Sequence, residues 1–203
     1  MLKVGFIGLG TMGFPIAGHI SQSYEIAVFN RTRNKSQKWT SEFKGEVCES
    51  IKDLALKSNV IFLCLSEDKD IEEIILGSDG IMEHLNEETI VVDHSTTSVD
   101  TATLISNELL KKDSIYLDAP VSGGEVGAQN GTLSVMIGGD QAAYIGISSI
   151  LECYSAFHKY MGPSGNGQLT KMVNQICIAG LLQALAEAAS FSKKSGISSK
   201  AVL

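Results

Sequence analysis

The chain has 203 residues, with 16 Lys and Arg against 23 Asp and Glu, a formal charge of −7 at neutral pH. At 44% hydrophobic and 19% charged it can fill a core, which excludes wholesale disorder, and 20 glycines against three prolines without a triplet period exclude collagen-like and proline-rich classes. The acidic balance argues against nucleic acid as the main partner, because phosphate binding needs clustered Lys and Arg.

Apolar runs of strand length alternate with helix-length segments through most of the chain. The predicted strands are Lys3–Ile7, Ile26–Phe29, Val60–Leu65, Ile90–His94, Ile115–Asp118 and Leu133–Ile137. Helices are predicted near Met12–Ser21, Ile71–Leu76, Val99–Leu110 and Gln141–Leu151. The run Val60-Ile61-Phe62-Leu63-Cys64-Leu65 is apolar on both faces, as a central parallel strand covered by helices must be. The alternation predicts an α/β Rossmann-type fold, a doubly wound and mostly parallel sheet, over residues 1–163. After Gly162-Pro163-Ser164-Gly165 the pattern changes to one long helix from about Gln168 to Lys194, roughly 40 Å long. Its middle, Ile176 to Leu182, is apolar all round and requires cover on most faces. Either another subunit packs there, making a homo-oligomer, or residues 164–203 begin an all-α second domain of a longer protein, which is the favoured expectation.

The N-terminal residues enter a strand pattern at once and leave no room for a signal peptide. No stretch reaches the roughly 18 uninterrupted apolar residues of a membrane span. A cytoplasmic protein without a membrane partner is expected. Cys48, Cys64, Cys153 and Cys177 form no Cys-x-x-Cys pair, so neither a disulfide framework nor a zinc site is expected. Cys64 and Cys177, in apolar runs, read as buried thiols.

Gly8-Leu9-Gly10-Thr11-Met12-Gly13 follows the first strand and opens the first helix. The three glycines serve a tight turn, close approach to a pyrophosphate and close helix–strand packing, and the helix N-terminus offers free N–H groups to phosphate. The alternative is a simple strand–helix turn. An acidic residue at the end of the second strand would grip the ribose 2′-hydroxyl of NAD. The chain instead carries Asn30, Arg31 and Thr32 there, two hydrogen-bonding side chains and a guanidinium that can pair with a 2′-phosphate. NADP(H) is the preferred cofactor on this reading, with NAD(H) possible; a solvated basic turn is the alternative, since Arg33, Lys35 and Lys38 follow.

Three further segments complete the pattern. Asp93-His94-Ser95-Thr96-Thr97 ends one strand, Asp118-Ala119-Pro120-Val121-Ser122-Gly123-Gly124 follows another, and Gly165-Asn166-Gly167-Gln168-Leu169-Thr170-Lys171-Met172-Val173-Asn174-Gln175 starts the long helix. Together with the glycine loop, in this order and over essentially the whole chain, they resemble the β-hydroxyacid dehydrogenase family, which includes 3-hydroxyisobutyrate dehydrogenase, tartronate semialdehyde reductase and glyoxylate/succinic semialdehyde reductases.

Carbonyl reduction by a nicotinamide needs a proton donor for the developing alkoxide. Lys171 can give that proton, or take it back from the alcohol, if its site lowers its pKa. Asn174 and Gln175, at i+3 and i+4, share its helix face. The resemblance makes Lys171 the catalytic residue with Asn174 beside it, and Ser122, Gly123 and Gly124 the cradle of a small-molecule carboxylate substrate. Alone, Lys171 reads as a solvated helix-start lysine and the glycines as a turn. Thr96 is placed on the nicotinamide half of the cofactor, and Leu65 and Ser66 on the adenosine or pyrophosphate side. Relatives often carry Leu-Pro at the latter pair, so Ser66 departs from the pattern. Imine reductases share much of the architecture but usually lack the lysine, which favours carbonyl chemistry. The resemblance implies a helical domain beyond Leu203 that supplies part of the substrate pocket, so a nucleotide-binding module without turnover is the rival reading. His19, His84, His94 and His158 lack metal spacing, Trp39 reads as a packing residue, and the acidic run from Glu67 to Glu73 reads as a solvated helix start.

Overall fold

The computed structural model describes residues 2–202. In chain order the elements are β1 (Val4–Ile7), α1 (Gly13–Ile20), β2 (Ile26–Phe29), α2 (Arg33–Glu42), β3 (Glu46–Val47), α3 (Ile51–Lys57), β4 (Val60–Leu63), α4 (Asp68–Leu76), a 3-10 turn (Ile81–His84), β5 (Ile90–Asp93), α5 (Val99–Leu110), β6 (Ile115–Asp118), β7 (Val121–Ser122), α6 (Gly124–Asn130), β8 (Leu133–Gly138), α7 (Gln141–Leu151), β9 (Ser155–Gly162), α8 (Asn166–Lys194) and α9 (Ser199–Val202). The sheet runs β3-β2-β1-β4-β5-β6-β8-β7, with β9 also paired to β8. β1 to β6 pair in parallel; β8 runs antiparallel to β6 and β7 and parallel to β9. The order reverses beside β1, between β2 and β4, and such a switch point opens a crevice at the carboxyl ends of the strands.

Two apolar layers sandwich the sheet. Phe6, Val28, Val60, Phe62, Val92 and Leu117 meet Ile16, Trp39, Ile147 and Tyr154 on one face. Ile7, Ile61, Leu63 and Val91 meet Leu54, Ile71, Ile105 and Leu109 on the other. Successive residues of β4 therefore enter opposite layers, which is why its sequence is apolar without alternation. Ser50, Ser98 and Asp140 each accept the N–H three residues on and start α3, α5 and α7.

Several elements are absent from the sequence reading for local reasons. α2 buries only Ser36 and Trp39, so its apolar period is too sparse to read, and α6 is a glycine-bearing seven-residue helix. β9 is a polar strand sustained by its ladder to β8. Trp39 is fully buried, and its indole Nε1 donates to the Phe14 carbonyl at 3.0 Å. Cys177 is exposed on α8 rather than buried, and Cys64 is half-buried. The acidic run is also not wholly solvated: Asp68 accepts from the Ser98 N–H at 3.2 Å and the Thr101 hydroxyl at 3.0 Å, tying α4 to the start of α5.

Over its 29 residues α8 runs out from the sheet, with Val173, Ile176, Leu181 and Leu182 exposed. Its most apolar 18-residue window has a mean hydropathy of 1.3, so by length and composition alone, and among the described residues, it is the one helix that could cross a membrane. Helices that pack against other protein have the same composition.

Replacing Trp39 with Ala removes the largest buried side chain and the indole's hydrogen bond to the Phe14 carbonyl. Urea unfolding of that variant is expected to show about 3–5 kcal/mol less stability than the native chain; a loss under about 1 kcal/mol would contradict the packing described.

Candidate active site

β1 ends against a turn that only glycine can make. Gly8 has φ +101°, and a Cβ there would strike the Cys64 carbonyl; a Cβ on Gly13 would strike the Gly8 carbonyl. A Cβ on Gly10 would meet nothing within 4 Å, so the face of the loop at Gly10 is open. Two glycines thus let α1 close onto β1, and the third leaves room for a ligand to reach backbone amides, which fits a pyrophosphate at this helix start. Asn30 braces the loop: its Oδ1 accepts from the Leu9 N–H at 2.9 Å, while its Nδ2 donates to the Thr32 carbonyl at 3.2 Å. Arg31 and Thr32 are exposed, and the Arg31 guanidinium lies 3.6 Å from the Asp70 carboxylate of α4.

At the ends of β5 and β6 the polar groups are buried and paired. Asp93 accepts from the Ser95 N–H at 2.8 Å and the Tyr116 hydroxyl at 2.7 Å, and Ser95 Oγ accepts from the Leu65 N–H at 2.9 Å. Burial raises the Asp93 carboxyl to about 6. His94 Nδ1 lies 2.6 Å from the Ala119 carbonyl and Nε2 lies 2.8 Å from the Tyr154 hydroxyl. A carbonyl can only accept, so Nδ1 carries the proton and Nε2 accepts from Tyr154. Burial lowers the His94 pKa to about 4 and keeps the ring neutral.

Asp118, one strand over and in register with Asp93, holds the start of α8. Its two oxygens accept from the Gly165 N–H at 2.8 Å and the Gln168 N–H at 3.0 Å, taking up donors that the first turn of a helix leaves unpaired. Gln168, fully buried, adds a second fastening: Oε1 accepts from the Thr97 N–H at 3.1 Å and Nε2 donates to the Ser95 carbonyl at 2.9 Å. The first turn of α8 is thereby bolted across the ends of β5 and β6. Lys171 follows Gln168 by three residues; it is half-buried, and desolvation lowers its pKa from the ordinary lysine value. Among the described residues no carboxylate lies within ion-pair distance of it.

These elements enclose a cleft of about 680 Å³ lined by Met12, Cys64, Leu65, Ser66, His94, Ser95, Thr96, Val121, Ser122, Gly123, Gly124, Lys171, Gln175 and Ile178. Residues from five separate stretches of sequence thus meet around one lysine. Asn174 reaches the same wall, its Nδ2 lying 3.4 Å from Ser122 Oγ. Gly123 and Gly124 have φ of +132° and +61°, conformations that other residues rarely hold. Leu9, Gly10 and Thr11 face a neighbouring cleft of about 670 Å³, and Arg31 faces another of about 440 Å³. A cleft of about 680 Å³ at the opposite ends of the strands, around Lys3, Tyr24 and Lys57, lies away from the crevice where such sheets bind ligands.

The sequence reading did not single out Ile178, His94, Ser95 or the anchors Asp118 and Gln168. Ile178 is seven residues after Lys171, on its face, a signal available from helical spacing. The anchors stand within the quoted motifs, but their pairing carried no signal, because a capping carboxylate 47 residues away in sequence becomes visible only when the chain is folded. One candidate metal triad exists among the described residues, Glu46, Cys48 and Asp53. The Lys57 ammonium already sits on its two carboxylates, at 2.5 and 3.1 Å, and the Cys48 thiol is pushed up to about 12.

Residues 3–165 match the family of the NAD binding domain of 6-phosphogluconate dehydrogenase. The chain belongs to that family. It is 45% identical to an uncharacterized oxidoreductase of Shewanella frigidimarina over 97% of this chain and 68% of the relative, and 32% identical to 2-hydroxy-3-oxopropionate reductase of Escherichia coli over 96% of this chain and 66% of the relative. The structure of Mycobacterium tuberculosis 3-hydroxyisobutyrate dehydrogenase with L-serine superposes with a TM-score of 0.92 at 26% identity, over all of this chain and 68% of that one. Psf3 in complex with NADP+ and 2-OPP superposes at 0.90 with 29% identity, over 98% of this chain and 70% of that one. The protein is an oxidoreductase of the β-hydroxyacid dehydrogenase type with a nicotinamide dinucleotide fold.

The buried pair next to the lysine has a checkable signature. The folded pKa of His94 lies below its ordinary 6.5, so its contribution to stability is complete above about pH 6.5 and is lost as pH falls toward 4. Asp93 is raised from 3.8, so its contribution is complete below that pH and is lost as pH rises through about 6; the two offset one another between 4 and 6. Nitrogen NMR at about pH 5 is expected to show His94 neutral with the proton on Nδ1. Asp93→Asn is expected to unmask the histidine, so that stability declines steadily on acidification where the native chain stays flat; an equally flat Asn variant counts against this account.

Proposed function

We propose that this oxidoreductase interconverts a small β-hydroxyacid and its semialdehyde or keto acid, preferring NADP(H). The observation that carries the reading is the meeting of Lys171, Ser122, Gly123, Gly124 and Thr96 in one cleft at the carboxyl ends of the strands. Gly8, Leu9, Gly10, Thr11, Met12 and Gly13 would hold the pyrophosphate, Arg31 and Thr32 the 2′-phosphate, with Asn30 bracing the loop. Leu65, Ser66 and Thr96 would line the cofactor's path toward the cleft. Bound there, the nicotinamide supplies or accepts the hydride.

The chain's own groups handle the proton and the carboxylate. Lys171, without a carboxylate partner and partly desolvated, can donate to a developing alkoxide and recover the proton from an alcohol. Asn174 and Gln175 on the same helix face orient the substrate's polar groups. Ser122 and the two glycines offer a hydroxyl and an unobstructed backbone to a carboxylate. Met12, Val121 and Ile178 add an apolar wall suited to a small carbon skeleton.

Titration with NADPH and NADH, followed by turnover assays with glyoxylate, succinic semialdehyde, tartronate semialdehyde and methylmalonate semialdehyde, tests the reading. Lys171→Ala is expected to keep nucleotide affinity while losing about 10²–10⁴ in rate. In the native chain, reduction should decline and alcohol oxidation rise as pH passes the Lys171 pKa, below the ordinary lysine range. Nucleotide binding without turnover of any of these carbonyls would favour the second reading, a cofactor-binding unit. The chain spans 68% of its Shewanella relative.

The exposed apolar side chains of α8 further lead us to propose self-association through that helix. Light scattering over a concentration series is expected to show a dimer or larger species; a monomer at every concentration would refute this part.

A further inference from the structure

The end of β2 carries no carboxylate in sequence, yet the fold delivers one there from another element. Asp70, in the first turn of α4, lies 3.6 Å from the Arg31 guanidinium. Arg31 is 88% exposed and can leave this pairing, while Asp70, at 33%, is held by its helix. Both line the cleft of about 440 Å³, which has Phe29 and Ile74 as apolar floor and a rim of mixed charge in which Glu73 and Asp79 stand with Lys52 and His84. Arg33, the next guanidinium along, is already paired with Glu49 at 2.7 Å.

We propose that Asp70 is a specificity-determining residue that restrains the preference for NADP(H): it occupies Arg31 when no 2′-phosphate is present and repels that phosphate when it arrives. The inference rests on the reading of Arg31 as the 2′-phosphate ligand. A phosphomonoester near neutral pH carries close to two charges, so it must both displace the carboxylate from the guanidinium and approach it. A dinucleotide with a free 2′-hydroxyl meets neither cost. The Arg31–Asp70 pair therefore narrows the gap between the two cofactors from the NADP side, without any contact that rewards NAD(H).

The test is a fluorescence titration of NADPH and NADH on the native full chain and on Asp70→Asn, at low and high salt. The exchange is isosteric on a partly exposed helix start, and unchanged circular dichroism and melting temperature verify folding. NADPH is expected to bind about three- to ten-fold more tightly to the variant, with NADH changed by less than about two-fold, and the gain should shrink in high salt. In Arg31→Ala the native preference for NADPH should fall, and adding Asp70→Asn should recover only part of it. Weakened NADH binding in Asp70→Asn would mean that the carboxylate grips the ribose 2′-hydroxyl, and would overturn the inference. Unchanged affinities for both nucleotides would overturn it alone. A native chain that binds neither nucleotide would overturn the cofactor reading and this inference together.

Discussion

Everything at the proposed catalytic end hangs on the Asp118 carboxylate at the start of α8. Helices leave their first N–H groups unpaired, and α8 is the one long element that departs from the sheet instead of packing along it. A buried carboxylate accepting two of those donors satisfies the helix and is itself stabilised by the positive end of the helix dipole. Burial raises the Asp118 pKa and the backbone N–H groups lower it again, so the anchor is a balance of desolvation against hydrogen bonding. Gly138 and Gly167 mark how tightly the parts meet, since a Cβ on either would press on the Asp118 carboxylate. Lys171 inherits its position from this joint.

Next to that joint, two buried polar pairs lie on opposite faces of the sheet, Asp93 with Tyr116 and His94 with Tyr154, and the Asp93 oxygens and both His94 ring nitrogens have partners. Unpaired, such groups would cost about 1–3 kcal/mol each; paired, they fix the strand ends laterally. His94 reaches across from β5 to the Ala119 carbonyl, just before the Val121–Gly124 wall of the cleft. The proposed carboxylate cradle is thus held from the end of β5 by His94, while the lysine helix is held from β6 by Asp118. Proton-transfer geometry tolerates little slack, and two independent fastenings to one sheet end supply the rigidity.

The proposed cofactor side follows a different logic. There the backbone itself would be the ligand surface, and glycine is needed where any side chain would collide with the Cys64 or Gly8 carbonyl. In the proposed reading, charge selection falls to exposed groups at the rim, where solvent screens each pair and small free energies suffice to shift one nucleotide against the other. The proposed reaction thus combines a rigid buried joint around the lysine with an adjustable, solvent-facing charge pair around the phosphate.

Much of this was legible in the chain. The doubly apolar run of β4 and the Gly8–Gly13 turn are local consequences of side-chain chemistry, and β2, β6, α5 and α7 stand at the predicted boundaries. Weakly patterned pieces such as α2, α6 and β9 were not legible, because tertiary contacts and a neighbouring strand sustain them rather than their own periodicity. Amino-acid order alone determined the fold class, the dinucleotide turn and the shared helix face of Lys171, Asn174 and Gln175. Only the tertiary structure decided that Asp118 caps α8, that Cys177 faces outward and that Asp70 stands beside Arg31. The first and last of these join residues 47 and 39 positions apart in sequence, and such pairings depend on where the folded sheet places its strand ends.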